Sequence, residues 1–273
     1  MKYITLSFDD GRKDFFTNAL PVLKKYNLPA TLNVITDFLG KNNLLNFASA
    51  NYECITKDEL FECADADVEI ACHSANHTND LNQIIKSIDY LQNNLKLTQG
   101  GGCGFASPES EICIRNMNIY RNLINSGKVS YIRSGNQVMR DGYFHAAMYI
   151  VSKLTNSKTI FNLYNRRNLI NLKKECPSFY PSITCNADNS IRQIAFFIQM
   201  MPDNHAAIIM LHSILSPCDR GWGKDKWYNS VNDFEKLCRY LAKKKDVAVI
   251  TNAKLHEMIL GGKNERVNNK THR

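Results

Sequence analysis

Short apolar runs alternate with helix-patterned stretches along this chain, and that alternation restricts it to a parallel sheet wrapped by helices. Strand signals fall at 2–8, 30–35, 67–71, 102–106, 129–132, 205–211 and 247–250. Helix signals lie near 14–26, 57–64, 81–97, 110–126, 189–200, 231–244 and 253–260, and Thr56-Lys57-Asp58-Glu59 is a capping box that opens one of them. From 136 to 186 the periodicity is lost. Tyr143-Phe144, Asn165-Arg166-Arg167 and the Pro-bearing stretch from Cys176 to Pro181 read as an irregular excursion, with one short strand near 147–151. No repeat or low-complexity linker divides the chain, so 1–260 reads as one domain and 261–273 as a disordered basic tail.

Two clusters carry chemistry. Ser7-Phe8-Asp9-Asp10-Gly11 directly follows the apolar run Tyr3-Ile4-Thr5-Leu6. Adjacent side chains at a strand end point to different places, so one acid can hold a cation while the other moves a proton. Alone, Asp-Asp-Gly is equally good turn chemistry. The second cluster, Cys72-His73-Ser74-Ala75-Asn76-His77, follows the short apolar stretch 68–71. Two imidazoles four residues apart, on a helical turn or a tight loop, reach one cation, and one Asp makes a third ligand. Three protein ligands with an open position is the catalytic arrangement for zinc. A His pair at this spacing is by itself more often a coincidence; the acid pair reverses that weighting.

These residues resemble the polysaccharide deacetylases, the NodB-homology or carbohydrate esterase family 4 enzymes. Ser7 to Gly11 matches the family's first motif, His73 to His77 its His-Ser/Thr-x-x-His motif, and Ile208 to His212 its last, a buried strand ending in Leu-His. Pro29 to Val34 looks like the second barrel strand. The resemblance implies an irregular (β/α) barrel of about seven parallel strands. It implies Asp10, His73 and His77 as ligands of a divalent metal, zinc first, Asp9 as general base and His212 as general acid.

The third motif departs from the family's Arg-Pro-Pro-Tyr-Gly. Ala106 stands at the Arg position, Glu109 at the Tyr and Ser110 at the Gly. A main-chain oxyanion donor survives such changes, because it needs position more than side-chain identity; the guanidinium does not. Phe105-Ala106-Ser107-Pro108 is closer to a branch with Phe-Ala-Tyr-Pro, in which an Arg comes from the next strand. Arg133 occupies that place and is expected to pair with Asp9, the alternative being a solvated strand-end Arg. Candidate substrate-lining residues are Pro108, Glu109, Leu211 and Trp227, the last in the glycine-broken aromatic loop from Gly221 to Tyr228. Trp222 or Trp227 could equally cap the core. His145, His205 and His256 have no partner pattern and read as structural or surface residues.

Composition agrees without leading to this reading. The chain has 273 residues, 44% hydrophobic and 22% charged, enough for one large core, and no apolar run long enough to span a membrane. Nine cysteines, odd in number and scattered without a Cys-x-x-Cys pair, read as reduced thiols. Entry into a strand straight after Met1-Lys2 leaves no room for a signal peptide, giving an expected cytoplasmic location. The net charge of +8 suits a phosphorylated sugar precursor or contact with an anionic surface, or is a solvated face; no nucleic-acid motif accompanies it. The expectation is a metal-dependent deacetylase of an N-acetylated, or less favourably O-acetylated or formylated, carbohydrate or sugar precursor. The alternatives are a non-catalytic metal- and glycan-binding relative and an amidase on a non-sugar amide.

Overall fold

The computed structural model describes residues 1–41, 53–95, 102–112, 117–135, 143–174, 178–187 and 191–271. Parallel strands β1 (Lys2–Phe8), β2 (Ala30–Val34), β3 (Val68–Cys72), β4 (Cys103–Ala106) and β5 (Val129–Arg133) lie side by side in chain order. On the other edge of β1 runs β9 (His205–Leu211), paired in parallel from Tyr3↔Ala206 to Phe8↔Leu211. Two fragments close the ring. β7 (Phe179–Tyr180) pairs with β5 and β8 (Ile183–Thr184) pairs with β9, with only Pro181 and Ser182 between them. They act as one strand kinked at a proline, whose first half serves one neighbour and whose second half serves the other.

The seven-strand count therefore holds with a different seventh member. The run expected at 247–250 does form β12 (Val247–Val249), but it lies along Lys2–Ile4, on the stretch of β1 below the residues that β2 takes. β6 (Ile170–Asn171) adds an antiparallel rung to β9.

Helices α1 (Leu20–Tyr26), α2 (Lys57–Asp65), α3 (Leu81–Leu95), α4 (Arg121–Asn125), α7 (Ile191–Met200) and α8 (Val231–Lys243) stand outside the ring. The Thr56 capping box is present at the start of α2, with Glu59 bonded back to the Thr56 amide. Where a short strand was expected at 147–151, the chain forms α5 (Tyr143–Thr155), packed on α6 (Lys158–Asn165). Ala146-Ala147-Met148 are strong helix formers and α6 supplies a helical partner, which outweighs the β-branched pair Ile150-Val151. The last helix, α9 (Asn252–Thr271), runs on through residues for which the sequence suggests disorder.

Strand alternation sorts the core into two compartments. Ile4, Leu6 and Phe8 of β1, Ala30, Leu32 and Val34 of β2, and Ala207, Ile209 and Leu211 of β9 belong to the large apolar layer shared with the outer helices. The residues between them, such as Thr5, Ser7, Thr31, Asn33 and Ile208, have the opposite parity and face the barrel interior. That interior is polar as well as apolar. At its base Glu69 accepts hydrogen bonds from Thr31 Oγ1 (2.8 Å), Tyr131 Oη (2.6 Å) and the Ala253 amide in the first turn of α9 (2.8 Å). Asn252 donates to Ser7 Oγ, and the Tyr180 hydroxyl meets His256 Nδ1 at 2.7 Å. Gly104 exists for this packing: a Cβ there would lie 2.3 Å from the Tyr131 hydroxyl.

Candidate active site

The same parity delivers four functional side chains to one rim. Two residues beyond interior Ser7, Tyr131 and Met210 come Asp9, Arg133 and His212, and His73 follows the last residue of β3, all at the C-terminal ends of their strands. In (β/α) barrels that rim carries the chemistry. Asp10 by parity should face away. It adopts φ 74°, followed by Gly11 at 62°, and this left-handed turn swings its carboxylate back to the mouth. His77 also takes a left-handed backbone (φ 62°), so the histidine pair sits on a tight loop rather than a helical turn.

Asp10, His73 and His77 offer ligand atoms that all lie within 4.8 Å of one another. Each Nε2 is 3.5 Å from Asp10 Oδ1. A tetrahedral zinc with bonds near 2.1 Å separates its ligand atoms by about 3.4 Å, so these spacings fit a cation. His73 Nδ1 lies 2.9 Å from the Ala106 carbonyl, which can only accept, so Nδ1 is the donor and Nε2 is the nitrogen turned to Asp10. Burial, then the neighbouring His73, push the His77 pKa down to about 4, so its imidazole is neutral, the metal-binding form. Burial alone would raise the Asp10 carboxyl, but Arg12 and His73 hold it well below the usual range.

Asp9 is the other half of the site. Arg133 Nη2 lies 2.6 and 2.7 Å from its two oxygens, both side chains being buried. The Asp9 main chain donates to the Leu211 carbonyl, which fixes β1 against β9 where the site begins. Burial pushes the Asp9 carboxyl up; Arg133 first, then His73 and His212, outweigh it and leave the pKa lowered. His212 Nε2 stands 3.9 Å from Asp9 Oδ2. Its pKa is lowered by burial against the opposing pull of Asp10 and Asp9. Its Nδ1 has no hydrogen-bond partner among the described residues, and the ring instead lies against Trp227, tilted by 36° with centroids 5.2 Å apart. Trp227 is 38% exposed.

The structure treats the other expected lining residues unequally. Pro108 is buried, its carbonyl taken by Asn79, while Glu109 is exposed in a left-handed turn (φ 51°) after β4. Leu211 does not line the mouth: it has the outward parity, opposite to His212, and packs in the layer beneath the helices. Cys72 likewise faces α3, with its sulfur accepting from the Ser74 amide.

Three contributors escaped the sequence reading. Asn33 donates to Asp9 Oδ1 at 2.8 Å, to Ser7 Oγ and to the Phe8 carbonyl. Its signal was an amide on the interior parity of a largely apolar strand. Arg12 bonds Asp10 Oδ2 through Nε (2.9 Å) and Nη2 (2.7 Å), and Asp225 meets Arg12 Nη1. Nothing local marks either as buried.

Residues 1–100 match the sequence profile of the family described as polysaccharide deacetylase. Over that stretch the chain is similar to the polysaccharide deacetylases. It is 35% identical over 83 residues to a poly-β-1,6-N-acetyl-D-glucosamine N-deacetylase of Staphylococcus epidermidis, and 33% identical over 84 residues to that of Staphylococcus aureus. These matches span 30% and 31% of this chain and 26% of each relative. Among solved structures, the peptidoglycan deacetylase PdaC of Bacillus subtilis aligns with 98% of this chain and 96% of its own at 14% identity and TM-score 0.49. A family 4 acetyl xylan esterase of Clostridium thermocellum aligns with 94% and 91% at 17% identity, also with TM-score 0.49.

Proposed function

We propose that this chain is a metal-dependent hydrolase that removes the acetyl group from an N-acetylated carbohydrate. The observation that carries the reading is the juxtaposition of a three-ligand cation site with a buried carboxylate that is not one of its ligands: Asp9, clamped by Arg133 and 3.9 Å from His212. Asp10, His73 and His77 would hold the ion, which when bound polarises an amide carbonyl and lowers the pKa of a water. Asp9, kept ionised by Arg133, takes that water's proton as its oxygen adds to the acetyl carbon. The exposed turn at Glu109 offers a main-chain N–H to the developing oxyanion. His212 then gives a proton to the nitrogen as the C–N bond breaks, releasing acetate and a free amine.

The carbohydrate assignment draws on the partly exposed Trp227 beside His212, and on the relatives whose names give poly-β-1,6-N-acetyl-D-glucosamine as substrate. A non-catalytic relative would have no need of an Arg buried against the base, so the Arg133 contact weighs against that reading. The test is acetate release by zinc-loaded protein on acetylated sugars, oligosaccharides, nucleotide sugars and simple amides, with Asp9→Asn as control. Release from a sugar substrate that the variant lacks supports the proposal. Zinc binding without release from any of them sinks it.

A further inference from the structure

Arg12 is fully buried, yet its guanidinium reaches three separate pieces of chain. Nε and Nη2 bond the Asp10 oxygen that faces away from the imidazoles, while Nη1 bonds Ser213 Oγ and Asp225 Oδ2. Ser213 is the residue after His212. It opens β10 (Ser213–Leu215), which pairs with β11 (Tyr228–Ser230) and so closes the loop 216–227 between them. Asp225, itself buried, uses its other oxygen to accept the Trp227 amide at 2.8 Å. One cation thus holds a ligand carboxylate on one side and both ends of the aromatic loop on the other.

We propose that Arg12 is a positioning residue that couples occupancy of the Asp10–His73–His77 site to the order of the 216–227 loop over His212. The reasoning is electrostatic and reciprocal. Arg12 shares its donors between two buried carboxylates. A cation on Asp10 Oδ1 draws charge away from the oxygen that Arg12 grips, so the guanidinium shifts its hold toward Asp225 and tightens the loop. By linkage, whatever the ion does for the loop, the ordered loop does for the ion. The inference rests on the proposed metal function, but concerns only how this chain supports it.

The chain has two tryptophans, Trp222 and Trp227, and both lie in this loop, so intrinsic emission reports its state directly. Zinc alone is titrated into metal-free protein, with binding followed by calorimetry and the loop by tryptophan emission and acrylamide quenching. In the wild type, emission is expected to shift in step with zinc occupancy and quenching to fall. Asp225→Asn, which keeps an acceptor for the Trp227 amide but loosens the Arg12 grip, is expected to bind zinc while losing the emission shift. Arg12→Met should lose the shift and also weaken zinc binding by about 10–100-fold, as for other groups that orient a metal ligand. An emission shift in Asp225→Asn equal to that of the wild type, or zinc binding to the wild type without any shift, overturns the coupling and leaves the metal site standing. Absence of zinc binding to the wild type overturns the metal function itself and the coupling with it.

Discussion

Replacing Arg133 by Met tests the central claim that Asp9 stays ionised only because it is paired. The substitution keeps most of the buried side-chain volume but removes two charge-assisted hydrogen bonds, each worth about 1.5–3 kcal/mol. Stripping one partner from a buried ion pair costs about 3–5 kcal/mol. Asn33 remains on Asp9 Oδ1, so the lower end, about 3 kcal/mol, is expected at neutral pH. The pH dependence is the sharper signature. In the wild type the Asp9 pKa lies below its ordinary 3.8, so the pair stabilises the fold above that value and the contribution fades as pH falls through the lowered one. In the variant burial dominates and raises the pKa, so the fold loses stability as pH climbs above about 4. Urea denaturation of metal-free protein at about pH 4.5 and pH 7.5 should therefore show a cost that grows with pH. In an Asp9→Asn background the Arg133→Met cost should be much smaller. Equal costs at the two pH values, or in the two backgrounds, would refute the reasoning.

Gly104→Ala places a methyl within 2.3 Å of the Tyr131 hydroxyl, whose ring is pinned by Glu69; a loss of about 1–3 kcal/mol in denaturant titration is expected, and an unchanged midpoint would mean that the barrel interior is looser than described. Asp14 accepts the Ile214 amide, and burial pushes its pKa up to about 7 from 3.8 against the pull of Arg12. Because the folded value is the higher one, the wild type should lose stability between about pH 4 and 7, modestly since the side chain is only partly buried, while Asp14→Asn should be flat there; Tm measured across that window checks it. His77→Ala should abolish tight zinc binding without unfolding the protein, since its ring sits on a loop at the mouth rather than in the core; calorimetry with circular dichroism separates the two effects.

The parts of the site that could be read from sequence are those whose chemistry is written in adjacent letters. Asp9-Asp10-Gly11 and His73 to His77 each place their groups within a few residues, and the strands beneath them are apolar enough to be seen. Arg133 was legible only through resemblance, because a strand-end Arg has no local mark of burial. Arg12 and Asp225 are separated by 213 positions in sequence and meet only when β10 and β11 dock beside the first turn after β1, so no periodicity announces them. The kinked β7–β8 strand escaped for a different reason: two-residue pieces around Pro181 are too short to show alternation, and their strand character comes entirely from the neighbours that they bridge. Leu211 was misplaced because adjacency to His212 along a strand means opposite faces.

The central position of β1 has a consequence for synthesis. It leaves the ribosome well before two of its partners, β9 and β12, which are encoded about 200 and 245 residues later. At about 5–20 residues per second, roughly 10–40 s pass between emergence of Asp9 and that of the strand whose Leu211 carbonyl anchors it. During that interval the nascent chain has Asp9 and Asp10 but neither its closing strand nor α9, whose first turn seals the barrel floor. The site is thus among the last features to assemble, and a chain released early would carry the motifs without the machine.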